Sequence, residues 1–232
     1  MRLDRFLAET TELTRSLAKK ALHRGEVSVD DEIVKNPATQ VGEENRVAWN
    51  EEPLALVGMR YLMLHKPAGV ECTARRTLYP RAIDLVELPK VERLQTVGRL
   101  DVDTTGLVLL TDDGQWSHRV TSPKHRFGKV YRVTLDEPLA GEALERAVAT
   151  FAEGVMLDGE ERPTRPAELS MREPTVAELT LYEGKYHQVK RMFAAIGCHV
   201  AALHRESIGP LALGDLPAGE WRELTAEEIA AF

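Results

Sequence analysis

Ten residues, Gly98-Arg99-Leu100-Asp101-Val102-Asp103-Thr104-Thr105-Gly106-Leu107, constrain the fold of this chain more than any others. They set a short polar segment between two apolar runs, a β-rich one from Leu94 to Leu100 and a second at Leu107-Val108-Leu109-Leu110. Two buried strands must then be joined by a polar turn that the core grips on both sides. Thr104 and Thr105 have hydroxyls that fold back onto local amides, and Gly106 admits backbone conformations that other residues resist. A carboxylate in such a turn, Asp101 above all, is held in place yet accessible. From this segment alone an ordinary Asx/Thr turn is the simpler reading. Asp101 and Asp103 share a face only if the chain stays extended, and no His or further carboxylate follows at ligand spacing, which disfavours a divalent metal.

With 232 residues the chain is long enough for one domain or two and for a substantial core. Cys72 and Cys198 lie far apart without metal-ligand spacing, which suits a reducing compartment and small buried side chains. No run approaches the roughly 18 apolar residues of a membrane span, and Met1 to Leu7 is charged where a signal peptide is apolar. The expectation is a soluble, cytoplasmic protein. A formal charge of -7 disfavours nucleic-acid binding only as an average, because phosphate contacts depend on local basic patches. Such patches occur at Lys124-His125-Arg126 with Lys129 and Arg132, at Lys185 with Lys190-Arg191, and at His204-Arg205.

Along the chain, Thr14 reads as an N-cap and Arg15 to Arg24 as a helix stopped by Gly25. Leu17, Ala18, Ala21 and Leu22 form its apolar face; Arg15, Lys19 and His23 recur on another. Val27-Ser28-Val29, a turn at Asp30-Asp31 and Ile33-Val34 predict a small hairpin. Residues 48–59 carry Glu51-Glu52-Pro53 with little periodicity and read as a linker. Beyond it, Tyr61 to Leu64, Val97 to Leu100, Leu107 to Thr111, Val130 to Leu135 and Val176 to Leu181 are strand candidates. Gly141 to Glu153 and His187 to Ile196 are helix candidates. In the second of these, Val189, Met192, Phe193 and Ile196 make the buried stripe and turn His187, Lys190 and Arg191 to the opposite side. Lys190 falls in the first turn, where the helix dipole favours negative charge, so it needs another partner. Taken alone it is a solvated helix cation, and a lone Tyr131 between Val130 and Val133 is a core residue.

Five segments in order change these readings. An N-terminus Arg2-Leu3-Asp4-Arg5-Phe6-Leu7 followed by helix and hairpin is similar to the S4 RNA-binding module, although Asp30 to Glu32 is more acidic than its usual hairpin. Lys66-Pro67-Ala68-Gly69, the Gly-Arg-Leu-Asp stretch ending at Asp101, Lys129-Val130-Tyr131, and Gly184-Lys185-Tyr186-His187-Gln188-Val189-Lys190-Arg191-Met192-Phe193 complete the set. Together they resemble the RsuA branch of the RNA pseudouridine synthases, which modify ribosomal RNA. Lys66 to Gly69 still reads as a structural turn. The following Glu71 and Ala74-Arg75-Arg76-Thr77 depart from the family's pattern, and this loop is expected to meet RNA differently.

The resemblance implies an α+β protein: an S4-like module with its linker at 1–58, and at 59–232 a catalytic domain with a mixed, mainly antiparallel sheet flanked by helices. It implies Asp101 as nucleophile, Lys190 as the cation that pairs with it, and Tyr131 stacked on the target uracil with a hydroxyl available for proton transfer. Arg99, Leu100, Thr104, Thr105, Gly106, Lys129, His187, Gln188, Arg191, Leu203 and Arg205 would line the substrate site. Arg2, Arg5, Arg15, Lys19, Lys20 and Arg24 would contact RNA from the S4-like module. The expected reaction flips a uridine out of its stack and isomerises it, with no metal and no cofactor. The expected partner is 16S ribosomal RNA in a small-subunit assembly intermediate, met by a monomer. Three alternatives remain: a relative acting on large-subunit 23S RNA, a non-catalytic ribosome-assembly factor, and a metal-dependent hydrolase using Asp101 and Asp103.

Overall fold

Leu3, Phe6 and Leu7 recur at helical spacing, and they are buried on one side of the first helix, α1 (Leu3–Thr10). Thr14 caps α2 (Arg15–His23), its hydroxyl accepting the Leu17 N–H at 3.3 Å. The structure is a computed structural model that describes residues 1–56 and 58–232, in two units, Met1–Gly58 and Met59–Phe232. In the first unit the two helices pack on a four-stranded antiparallel sheet of order β2-β1-β3-β4, formed by β1 (Val27–Val29), β2 (Glu32–Ile33), β3 (Val47–Trp49) and β4 (Glu52–Leu54). Asp30 and Asp31 both take positive φ, 52° and 70°, to close the β1–β2 turn.

The expected linker at 48–59 needs correction, since β3 and β4 occupy its first half and residue 57 lies outside the described residues. Glu51-Glu52-Pro53 looked irregular because it turns into an edge strand, where charge and proline are tolerated.

The second unit is built on a nine-stranded sheet. Its strands are β5 (Tyr61–Lys66), β6 (Gln95–Val97), β7 (Thr105–Thr111), β8 (Lys129–Leu135), β9 (Glu168–Glu173), β10 (Val176–Leu181), β11 (Val200–Ile208), β12 (Leu211–Ala212) and β13 (Trp221–Glu223). The main path runs β13-β5-β7-β11-β8-β10-β9, with β6 on β7 and β12 on β11. Among the described strands of this sheet, β7 and β11 run parallel and the other pairings are antiparallel. Helices α4 (Gly141–Glu153) and α5 (Gln188–Ala195) bring Phe151, Met192 and Phe193 onto one core with Leu179 and Leu203. On a second core, Trp116 and Val120 of α3 (Gly114–Thr121) meet Met63, Leu107 and Leu109, with Leu224 and Ile229 near the C-terminal helix α6 (Ala226–Ala230).

Two differences from the sequence reading bear on function. The strand expected over Val97 to Leu100 ends at Val97, because Gly98 turns the chain with φ 74° and the Leu100 N–H goes to the Cys72 sulfur. Strand β11 went unread, since His204-Arg205-Glu206 interrupts its apolar pattern, yet it lies at the sheet centre with Arg205 paired to Gly106 on one side and Tyr131 on the other. The β7–β11 approach requires glycine: a Cβ on Gly106 would sit 2.2 Å from the Arg205 carbonyl oxygen.

Candidate active site

The turn that carries Asp101 is clamped from beneath. The Val102 carbonyl accepts the Gly69 N–H at 2.8 Å and the Lys66 ammonium at 3.2 Å. Lys66 is fully buried and also donates to the carbonyls of Pro67 and Val70, at 2.9 and 2.7 Å, so its three protons are all placed on main-chain oxygen. Burial pushes its pKa down, and the nearby Cys72, Asp103 and Asp101 oppose that shift. The Cys72 thiol, pushed up by burial, takes the Leu100 N–H at 3.5 Å. Asp101 therefore sits between two anchored residues, Leu100 and Val102, and its own carbonyl accepts the Thr104 N–H at 3.1 Å. The Lys66 to Gly69 segment is the turn the sequence suggested, but nothing in an apolar strand ending in lysine signalled that this lysine points inward.

Above the turn, side chains meet side chains. The Asp101 carboxylate is 29% exposed; His187 Nε2 lies 3.2 Å from one oxygen and Lys190 Nζ 3.6 Å from the other. The expected Lys190–Asp101 pair is present, yet Lys190 makes its shorter bonds, both 2.8 Å, to the two oxygens of Asp103. Asp103 is 72% exposed, and its bond to Lys190 holds its carboxyl below the usual range. His187, expected as a general substrate contact, is instead the nearest cation-forming group to Asp101. It caps α5 with a positive φ of 47°, uncommon for a residue with a side chain, and its ring stacks on Tyr186 with centroids 3.9 Å apart. Tyr186 itself is 72% exposed. It belongs to a motif read from the sequence, but no role was assigned to it there.

The other expected residues divide between the site and its scaffold. Tyr131 and Leu203 are buried in the same core, and Arg205, 2% exposed, donates Nε to the Leu107 carbonyl at 2.8 Å and Nη1 to the Tyr131 hydroxyl at 3.5 Å. Arg205 Nη2 and the Thr104 hydroxyl are buried without a partner among the described residues. The expectation that the two threonine hydroxyls fold back onto local amides is thus corrected, since Thr105 bonds the His204 ring at 2.7 Å. Lys129 is partly buried, and desolvation and Arg205 lower its pKa. Leu100 is buried while Arg99 is exposed. Gln188 is turned inward to serve its own loop, accepting the Lys185 N–H and donating to Glu183, both at 2.8 Å. Arg191 parts company with His187 and Lys190: it bonds Glu160 and the Tyr186 carbonyl at 3.1 and 3.0 Å and braces the 158–160 turn. The helix face read as one basic surface is split between site and scaffold.

An accessible carboxylate on an anchored turn, with a cation, a histidine and a buried tyrosine–arginine pair in the same domain, is equipped for nucleophilic or acid–base work. Residues 60–195 match the RNA pseudouridylate synthase family, and residues 1–47 match the S4 domain. The chain belongs to the RNA pseudouridylate synthase family. It is 48% identical over 233 residues to the ribosomal small subunit pseudouridine synthase A of Escherichia coli strain K12, covering 100% of this chain and 99% of that protein. It is 49% identical over 234 residues to the protein of the same name from Pasteurella multocida, with the same coverage. A crystal structure titled pseudouridylate synthase is 47% identical, with a TM-score of 0.70 and coverage of 100% and 99%. As a pseudouridine synthase the chain is an isomerase, and its S4 domain is an RNA-binding module.

Within that S4 domain, the basic residues are not equivalent. Arg2 and Arg15 both bond the fully buried Asp4 carboxylate, at 3.1 and 3.3 Å, and Arg2 above all holds that carboxyl below its usual range. Arg5 pairs with Glu9 at 2.6 Å and Arg24 with Glu26. Lys19 and Lys20 remain exposed, without an ion-pair partner among the described residues. Among those residues no helix is long and apolar enough to cross a membrane.

Proposed function

We propose that this synthase converts one specific uridine of 16S ribosomal RNA to pseudouridine, acting as a cytoplasmic monomer on a small-subunit assembly intermediate, with Asp101 as its nucleophile. The observation that carries the reading is the Asp101 carboxylate on its clamped turn, 3.2 Å from His187 and 3.6 Å from Lys190. The Escherichia coli, Yersinia pestis and Pasteurella multocida relatives are named as small-subunit enzymes, which supports the choice of RNA.

The target uridine leaves its stack, because the glycosidic bond is shielded inside a folded RNA. Asp101 acts at the sugar C1′ as the C1′–N1 bond breaks, with the Lys190 ammonium 3.6 Å from its carboxylate. The detached uracil is retained against Tyr131 and Leu203 and rotated so that C5 faces C1′. A C5–C1′ bond forms, the proton on C5 leaves, and N1 gains a proton, so the composition of the RNA is unchanged. The Tyr131 hydroxyl, next to the Arg205 guanidinium, is the group suited to that proton transfer.

Pseudouridine mapping in ribosomal RNA from cells with and without the gene tests the assignment. One missing site in 16S RNA names the substrate. A missing site in 23S RNA, with 16S RNA intact, replaces the small-subunit reading with the large-subunit one.

A further inference from the structure

Asp101 and the groups that meet it belong to different halves of the nine-stranded sheet. Asp101 lies in the turn between β6 and β7, in the half made of β13, β5, β7 and β6. Tyr131 and Leu203 stand on β8 and β11, and His187 caps the helix α5 that follows β10 and carries Lys190, so all four go with the half made of β11, β8, β10 and β9. The halves join where β7 meets β11. Within the first half β5 pairs with β7 from Tyr61 to Lys66, and within the second β8 pairs with β11 from Val200 to Ile208. The join itself is far shorter, His204 opposite Thr105 and Arg205 opposite Gly106.

Side chains reinforce this short join on both faces, because successive residues of a strand point to opposite sides. On the face of the Tyr131 core, Arg205 Nε donates to the Leu107 carbonyl at 2.8 Å. On the other face, His204 Nδ1 lies 2.7 Å from the Thr105 hydroxyl. The His204 ring also stands edge-on to that of His65, with centroids 5.3 Å apart, and His65 Nδ1 donates to the Leu216 carbonyl at 2.7 Å. Burial above all, with Arg132 and His65 nearby, pushes the His204 pKa down against the pull of Glu206. The ring is therefore neutral at about pH 7, and its bond to Thr105 joins two neutral groups. Since β7 begins at Thr105, this bond lies where the Asp101 turn enters the sheet.

We propose that His204 is a positioning residue of the synthase: by holding Thr105 it fixes β7 against β11, and so sets Asp101 at its distance from Tyr131, His187 and Lys190. It does this from the side of the sheet opposite Tyr131, without meeting the RNA. The inference rests on the reading of Asp101 as nucleophile. Moving a reacting group by about 1 Å can cost roughly a hundredfold in rate, whereas binding spread over a long RNA is little changed by it. The contribution of His204 therefore falls in the chemical step and not in affinity.

The test compares full-length wild type with His204→Phe, Thr105→Val, the double variant, His204→Asn and Asp101→Asn. Single-turnover rates are taken at saturating ribosomal RNA from cells lacking the gene, free or in assembly particles, whichever wild type modifies, at a temperature where every variant is folded. His204→Phe and Thr105→Val should each slow the reaction about five- to tenfold, the worth of one neutral hydrogen bond. The double variant should be no slower than either single one, since both remove the same bond. His204→Asn, whose amide reaches the place of Nδ1, should recover most of the rate. Affinity and its dependence on salt should keep their wild-type values in the His204 and Thr105 variants. Losses that multiply in the double variant, wild-type rates in both single ones, or no recovery in His204→Asn would overturn the proposal. So would weaker and less salt-dependent binding by His204→Phe, which would make His204 an RNA contact. Should His204→Phe not fold, the isosteric Thr105→Val carries the same expectation from the other side of the bond. An active Asp101→Asn would remove the nucleophile and the proposal with it, whereas multiplied losses beside an inactive Asp101→Asn would overturn the proposal alone.

Discussion

Above and below the turn of Asp101, charge is handled in opposite ways. Below, Lys66 and Arg205 are buried cations whose bonds end mostly on main-chain carbonyls, those of Pro67, Val70, Val102 and Leu107. Above, Lys190 and His187 are partly exposed, and their bonds end on two carboxylates that also compete with each other. A bond to main chain fixes where the turn runs. A bond to a carboxylate that is itself solvated can be exchanged when RNA arrives, at little cost. The floor therefore sets position and the rim sets charge, and substitutions in the two should fail differently.

The largest effect belongs to the group both regions serve. Asp101→Asn should leave folding and RNA affinity near wild type and reduce single-turnover rate by a factor of about a thousand or more, because the amide keeps the shape and loses the nucleophile. Activity above a tenth of wild type would remove Asp101 from the chemistry and leave floor and rim without a common purpose.

Lys66→Met comes next and is the floor's own test. It strips a buried donor from three carbonyls and should cost about 1–3 kcal/mol of stability in denaturant unfolding, with a fall in rate as the turn loosens. Its pH signature has a definite sign. The folded pKa of Lys66 lies below its unfolded value, so between the two the unfolded chain holds more protons and stability rises with pH. Wild type should gain on the Met variant as pH climbs toward the ordinary lysine range near 10.5 and lose that gain on acidification. For Asp103 the same linkage operates at the acid end: its stabilisation is present above about 3.8 and lost as pH falls through its lowered value. A pH-independent difference between wild type and Lys66→Met would mean that the buried ammonium does not titrate with folding.

At the rim, Lys190→Met should leave stability nearly untouched and slow the single-turnover step by about ten- to a hundredfold, as the loss of one partly exposed ion pair to the reacting carboxylate predicts. RNA affinity should change less than rate. Asp103→Asn should be far milder, within a few-fold, because it releases Lys190 to Asp101. If Asp103→Asn were as damaging as Lys190→Met, the exposed carboxylate would have to be counted as part of the site and not as a competitor for its cation.

How much of this was legible follows the same division. The rim lay in polar stretches, where Asp101, His187 and Lys190 stand out against apolar neighbours, and the helix period of Val189, Met192 and Phe193 is strong enough to place α5. The floor was hidden because its charged members sit inside strands: Lys66 ends an apolar run as any surface lysine does, and Arg205 breaks the alternation that would have revealed β11. Periodicity registers where a side chain is apolar, whereas burial of a cation depends on carbonyls brought in from Val70 and Val102, which no local pattern encodes. That Lys190 also bonds Asp103, more closely than Asp101, was hidden for a related reason, since which carboxylate takes the shorter bond is decided by the course of the turn between them.

The smallest expected effect carries the distinction into the S4 domain, where the same contrast recurs between cations answered by the protein and cations left exposed. Arg2 and Arg15 are held by the buried Asp4, so Arg15→Ala should lower the stability of residues 1–58 by about 1 kcal/mol, as the loss of one charged hydrogen bond predicts. Among the described residues Lys19 and Lys20 make no ion pair, so Lys19→Ala/Lys20→Ala should leave the unfolding curve unchanged. If they neutralise phosphates, each removes roughly 0.7–0.9 from the slope of log affinity against log salt, depending on whether it meets a single strand or a duplex. Measured on one ribosomal RNA, a reduced slope with unchanged stability for the lysine pair assigns them to RNA. Equal slopes would show that the helix face neutralises no phosphate, and the acidic hairpin at Asp30 to Glu32 would then direct the search for this module's partner toward protein.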